Sequence, residues 1–315
     1  MGVNMRSMVN EITGDTILHR AIFHRKENII GQLLKMEGVD INASDRDGVT
    51  PLCVAVSGGQ ISTVVKFLHC PNIIIDIGDS INEIPCIHFA IAGNYPDIAT
   101  EMVNSGLCDI NKQDKYGVTD LHAAAVNGYK EIVRILIKHR DVNIDCADEN
   151  GETALMYAFS AQEYDIAKIL MSTAGVNFKE ENNVGSSLLH FAMLHKKGDK
   201  IIVNALLDRG LDVNKSLPSG HTPLHIAAAR GFRAGVEALL LDPYIKVNLR
   251  DGNSLTPQLT AKLYHHDAIA QLFQRKTRQK VMTAEEFLYT LKRHGQLARA
   301  ISMMLLPFPG MGYLL

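Results

Sequence analysis

The chain has 315 residues, 46% of them hydrophobic and 21% charged, with a formal net charge of −2. A charge so near zero exerts no general pull on nucleic acid or anionic membrane, and Arg275 to Lys280 is the one short basic cluster. The five cysteines (Cys53, Cys70, Cys86, Cys108 and Cys146) form no C-x-x-C pair and fall at different places in the pattern described below, so they read as small packing residues in a reducing compartment.

Residues 1–13 read as a lead-in without a basic and apolar leader, and Arg6 stands where a myristoylation pattern needs Ser or Thr. No run of 18 apolar residues follows anywhere. From residue 14 an alanine recurs every 34 or 35 residues: Ala21, Ala55, Ala90, Ala124, Ala158, Ala192, Ala227 and Ala261. Three residues before each stands Leu18, Leu52, Ile87, Leu121, Leu155, Leu189 or Leu224, and Gln258 breaks the column in the eighth unit. A fixed period of this length predicts stacked units, none of which buries its apolar face alone.

The fourth unit, residues 117–150, shows how each is built. Gly117 follows the polar turn Asp114-Lys115-Tyr116, Thr119 caps a first helix, and Asp120 stands in its first turn, where the helix dipole favours an anion. Leu121 to Ala125 is a strip of small residues that permits close approach, and Asn127-Gly128 ends the helix. Ile132, Val133, Leu136 and Ile137 then give the stripe of a second helix, about Lys130 to His139, with Glu131, Arg134 and Lys138 facing water. The third unit lacks the turn glycine, and the sixth carries an extra residue around Lys196 to Lys200.

Gly220-His221-Thr222-Pro223-Leu224-His225-Ile226-Ala227 resembles the ankyrin-repeat signature. Gly48 to Ala55 and Gly14 to Ala21 are near matches, and Asp40-Ile41-Asn42, Asp109-Ile110-Asn111 and Asp212-Val213-Asn214 resemble the family's loop motif. The resemblance covers about residues 14–275 in eight repeats. It implies an all-α solenoid of helix-turn-helix units with projecting β-turns. It also implies that the in-register His19, His88, His122, His190 and His225 bond to the backbone of adjoining turns rather than to a metal. His265 and His266 read as surface residues, and isolated acidic residues as turn and helix-surface groups.

No Ser-His-Asp order, phosphate-cradling glycine loop or H-E-x-x-H motif stands out, so no enzyme, metal site or cofactor is expected. The resemblance instead places a protein-binding surface on a concave face formed by turn tips and exposed ends of the first helices. At the tips these are Arg46, Asp47, Lys115, Tyr116, Glu149, Asn150, Glu152 and His221; at the helix ends they are Val126, Asn127, Ser160, His195, Arg230 and Tyr264, with Phe23 beside them. The expected partner is a protein, bound by a cytoplasmic monomer that takes neither nucleic acid nor membrane.

Residues 276–315 stand outside the period. Thr283 to Glu286 fits a capping box, with Phe287, Leu288 and Leu291 behind it, and a second stripe runs from Leu297 to Leu305. A helical cap over the last repeat is the first reading. Leu306-Pro307-Phe308-Pro309 with Tyr313-Leu314 is also similar to the end of a SOCS box, though Pro309 and Tyr313 stand two residues too close and the preceding stretch has no cysteine. That similarity implies an adaptor of ubiquitin ligases. A secretion signal of a bacterial effector acting in host cytoplasm is the third.

Overall fold

The computed structural model describes residues 10, 12–75 and 84–278. Within them sixteen helices form eight pairs, one for each expected repeat. The chain divides into two units, Met1–Val176 and Asn177–Leu315. The first holds α1 (Ile17–Phe23) with α2 (Glu27–Leu33), α3 (Pro51–Ser57) with α4 (Ile61–Leu68), α5 (Cys86–Ala92) with α6 (Pro96–Asn104), α7 (Asp120–Val126) with α8 (Lys130–Ile137), and α9 (Ala154–Ser160) with α10 (Tyr164–Ser172). The second holds α11 (Leu188–Ala192) with α12 (Lys200–Asp208), α13 (Pro223–Arg230) with α14 (Arg233–Leu241), and α15 (Pro257–Leu263) with α16 (Asp267–Arg278). The long connection from Ala192 to Lys200 accommodates the extra residue of the sixth repeat.

Each first helix begins where its sequence asks it to. Thr16, Thr50, Thr119, Thr153, Ser187, Thr222 and Thr256 occupy the cap position in extended conformation, and proline opens α3, α13 and α15. The alanine column is buried throughout. Its small side chains let first helices pack closely within each unit, α3 on α5, α7 on α9 and α13 on α15. Second helices pack the same way, with Ile132, Val133 and Leu136 of α8 fully buried while Glu131 and Arg134 face water as an ion pair. Gln258, which breaks the leucine column, is half-buried and donates to the Ala270 carbonyl of α16 at 3.1 Å, so its amide finds a partner inside its own repeat.

Two polar devices join one repeat to the next. His19 accepts the Thr16 N–H on Nδ1 at 3.1 Å and reaches the Val49 carbonyl of the following repeat with Nε2 at 3.0 Å. His122 does the same between Thr119 and the Glu152 carbonyl (3.2 and 2.9 Å), and His225 between Thr222 and the Leu255 carbonyl (3.2 and 3.1 Å). A ring nitrogen that accepts an amide proton carries none itself, so each ring is neutral with its proton on Nε2. The second device is the loop asparagine. Asn111 donates to the Asp141 carbonyl at 2.8 Å and accepts the Asn143 N–H at 2.7 Å. Asn42 grips Asn72 and Ile74, and Asn214 grips Tyr244 and Lys246, in the same two-bond manner.

The joint between the third and fourth repeats departs from this. Pro85 caps α5 and offers neither an N–H nor a hydroxyl, so the Nδ1 of His88 turns instead to Asp120 Oδ1 at 2.6 Å. Asp120, expected as a surface anion at a helix start, is 1% exposed and serves as the buried partner of a histidine. Burial alone would depress the His88 imidazolium, but the hydrogen bond and charge of Asp120 outweigh it and raise its pKa. His122, His190 and His225 go the other way, depressed chiefly by burial, His190 to about 4. His266, expected at the surface, is half-buried with Nε2 on the Ala229 carbonyl at 3.2 Å, whereas His265 is exposed.

Replacing Asn111 with alanine removes two inter-repeat bonds and should lower stability in urea unfolding by roughly 1–2 kcal/mol. The depressed histidines bind protons mainly in the unfolded chain, so stability falls as pH drops from the usual histidine range near 6.5 towards about 4. Unfolding midpoints measured across that window check this, and His190→Gln should flatten the slope. His88 has the opposite sign: its pairing is complete below its ordinary pKa and is lost as pH rises through the raised one. Asp120→Ala should therefore cost about 3 kcal/mol near pH 6 and distinctly less near pH 9.

Candidate functional site

The exposed surface in Met1–Val176 is built on turns that the sequence stiffens twice. Asp45 Oδ1 accepts the N–H groups of Asp47 and Val49, both at 2.9 Å, and so holds up the tip that presents Arg46 and Asp47. Asp114 accepts from Tyr116 and Val118 (both 2.9 Å), and Asp148 from Asn150 and Glu152 (2.9 and 2.7 Å). Three residues beyond these carboxylates stand Gly48, Gly117 and Gly151, all at positive φ. At Gly117 the next turn also comes so near that a Cβ would lie 2.8 Å from the Glu149 nitrogen. The second stiffening runs from turn to turn: Arg46 N–H donates to the Thr13 carbonyl at 3.1 Å and Glu149 N–H to the Tyr116 carbonyl at 3.0 Å.

On this frame the expected residues fall into two groups. Arg46, Asp47, Lys115, Tyr116, Glu149 and Asn150 at the tips, with Val126, Asn127 and Ser160 at helix ends, are exposed. Tyr116 is 54% exposed, and the Lys115 ammonium lies 4.9 Å from its ring centre. Phe23, at the end of α1, exposes 75% of its surface and stacks edge-on with His24. The Asn127 amide folds back on the Ala123 carbonyl at 2.8 Å. Glu152 is only half-buried at its side chain, but its backbone is wholly engaged, the carbonyl by His122 and the N–H by Asp148. Asp148 further accepts the Tyr157 hydroxyl at 3.0 Å; burial first, and then this bond to a carboxylate, push the Tyr157 pKa up.

In Asn177–Leu315, Arg230 and Tyr264 are exposed, whereas His195 and His221 are half-buried. His221 is held by Ser219 at 2.8 Å and by the buried Asp251 at 3.4 Å, and its ring meets His225 edge-on. Asp251 closes its turn as Asp45 does, accepting from Asn253 and Leu255 at 2.9 Å, and the Gly252 N–H donates to the Ser219 carbonyl at 2.8 Å. Sequence reasoning passed over this carboxylate column. Its signal was present as an aspartate three residues before Gly48, Gly117 and Gly151, and three before Ser254, which also has positive φ. Leu259 and Leu263 on α15, 41% and 59% exposed, were also not anticipated as surface residues.

All five cysteines are thiols, but they are not five separate packing residues. Cys70 and Cys108 bond to carbonyls near their own helix ends, whereas Cys53 receives a hydrogen bond from Cys86 across a repeat joint. Among the described residues no group of three or more His, Cys, Asp or Glu side chains converges to hold a metal ion, and no helix is long and apolar enough to cross a membrane. The stretch 279–315, with both the capping-box and SOCS-like patterns, lies outside the described residues.

A family model described as ankyrin repeats matches residues 1–79, 87–182 and 172–251. Bovine SMC5-SMC6 complex localization factor protein 1 is 30% identical over 96 residues, which is 30% of this chain and 9% of that protein. Alpha-latrotoxin-Lg1a of Latrodectus geometricus is 30% identical over 135 residues, 40% of this chain and 9% of the toxin. Mouse Rabankyrin-5 is 31% identical over 93 residues, 30% of this chain and 8% of its own. The chain thus matches less than a tenth of the length of these relatives. Among solved structures, the ankyrin repeat domain of Bcl-3 superposes with a TM-score of 0.60 at 22% identity, covering 73% of this chain and 100% of that one, which shows a shared fold.

Proposed function

This chain belongs to the ankyrin-repeat family, whose repeats are in general protein-interaction modules, and we propose that it binds a protein partner without chemistry of its own. The contact surface is the set of turn tips and first-helix ends in Met1–Val176, with Tyr116 at its centre. One observation carries the reading: an exposed tyrosine, backed by Lys115, rides on a turn whose backbone is fixed by Asp114 and tied to the next turn. Tyrosine is a favoured interface anchor, and a turn already ordered loses little entropy on binding. Phe23 and Val126 extend the surface with apolar area, and the charged tips supply its rim.

The protein acts as a cytoplasmic monomer in this reading, consistent with five reduced thiols. A second reading, in which the chain is an adaptor, rests on the Leu306 to Leu314 pattern. There the same surface holds one protein while the C-terminal segment recruits a ubiquitin-ligase complex, and a secreted bacterial effector would use that surface in a host cytoplasm. Substituting Leu306 and Pro307 together with alanine separates the two: only an adaptor loses its second complex while retaining the first partner.

A photo-crosslinking amino acid at Tyr116 should capture the partner in cells, and the same group at Lys138, the exposed residue that caps the end of α8, should not. Tyr116→Ala should weaken the captured complex about tenfold or more, near 1.4 kcal/mol, with the circular dichroism melt unchanged. Equal capture from both positions, or an affinity indifferent to Tyr116→Ala and Val126→Asp, would place the contact elsewhere.

A further inference from the structure

Between the second and third repeats the histidine clamp is replaced by sulfur. Cys53 is the third residue of α3, the position that His19, His122, His190 and His225 hold in their helices. Cys86 opens α5, the position that Pro51, Pro223 and Pro257 hold elsewhere. A cysteine thus stands in place of two unrelated residue types, and the two meet across one joint where α3 packs on α5. They are 2% and 1% exposed. The Cys86 thiol donates to the Cys53 sulfur, and the Thr50 hydroxyl, with no histidine ring to serve, donates to the same sulfur at 3.3 Å. The Cys86 bond is the larger influence on Cys53, and against the opposing effect of burial the two hold its pKa below the ordinary thiol value. Burial pushes Cys70 and Cys146 up instead.

We propose that Cys53 and Cys86 form an oxidisable pair that closes into a disulfide between the second and third repeats when the protein meets hydrogen peroxide. The Cys53 thiolate attacks one peroxide oxygen, the O–O bond breaks, and hydroxide leaves to become water with the proton released from the thiol. Cys53, now a sulfenic acid, has lost two electrons to the peroxide. The Cys86 sulfur then attacks the Cys53 sulfur, the S–O bond breaks, and the hydroxyl departs as a second water with the Cys86 proton. Two thiols and one peroxide yield one disulfide and two waters. Peroxide is close to water in size and enters this joint through local opening, whereas glutathione disulfide does not fit a site so closed.

The test treats the full chain with hydrogen peroxide at neutral pH, followed by alkylation in denaturant, digestion and mass spectrometry. A Cys53–Cys86 peptide pair lighter by two hydrogens, reversed by dithiothreitol and accompanied by a higher thermal midpoint, is the expected result. A chain with Cys70, Cys108 and Cys146 changed to serine should form the same link. In Cys86→Ala, which circular dichroism should show to be folded, Cys53 should stop at a sulfenic acid that dimedone traps. Recovery of Cys53 and Cys86 as alkylated thiols while other cysteines oxidise would overturn the proposal, as would a link that forms only in urea. Cys53 driven to sulfinic acid without any link in the unsubstituted chain would do so equally.

Discussion

The first helices of this protein run five to eight residues and the second helices seven to twelve. An isolated helix of that length does not persist in water, because nucleation costs more than so few hydrogen bonds return. Everything else follows from this constraint. A helix pair is stable only while a neighbour covers its apolar stripe, so the joint between repeats, rather than the repeat, is the element that holds the fold. The alanine column makes the joint close, and the histidine and asparagine clamps set its register. Both clamps reach the backbone of the next repeat, which lets the side chains around them vary without loss of the contact.

The third repeat shows what happens when a clamp is withdrawn. With Pro85 at its cap, His88 has no amide proton to accept, and a buried imidazole must find another partner. Asp120 supplies one from a position where other repeats carry proline. On the other side of the same repeat, Cys53 and Cys86 meet where a histidine would have reached a carbonyl. The third repeat is therefore held on both sides by pairs of ionisable side chains, whereas His19, His122 and His225 hold their joints as neutral rings on backbone. The His88–Asp120 joint responds to protonation with a sign opposite to that of His122, His190 and His225.

The same turns that tie repeats together also present the proposed binding surface. At Asp45, Asp114, Asp148 and Asp251 a carboxylate that accepts two backbone N–H groups fixes the tip, and the side chains of Arg46, Asp47, Lys115, Tyr116, Glu149 and Asn150 are left exposed. Scaffold and surface thus share residues: Glu152 lends its backbone to the joint, and His221 is drawn onto Asp251. Within Met1–Val176, Phe23, Tyr116 and Val126 carry the largest exposed apolar area of the expected set. The proposed contact assigns recognition to them because the frame makes little use of their side chains.

The linear chain by itself determined the period, the helix pairs, the caps and the buried columns. These depend on residues within one repeat, where spacing along the sequence maps directly onto a helix face. It also placed the tips and helix ends, since phase within the repeat decides which side a residue faces. What stacking alone decided is which side chains meet across a joint. Asp120 read as a surface anion until His88 was brought against it, and two cysteines 33 positions apart read as unrelated until α3 packed on α5. The reason is physical: a residue's solvent exposure and pKa depend on its neighbours in space, and here those neighbours come from the next repeat, beyond the reach of any local pattern.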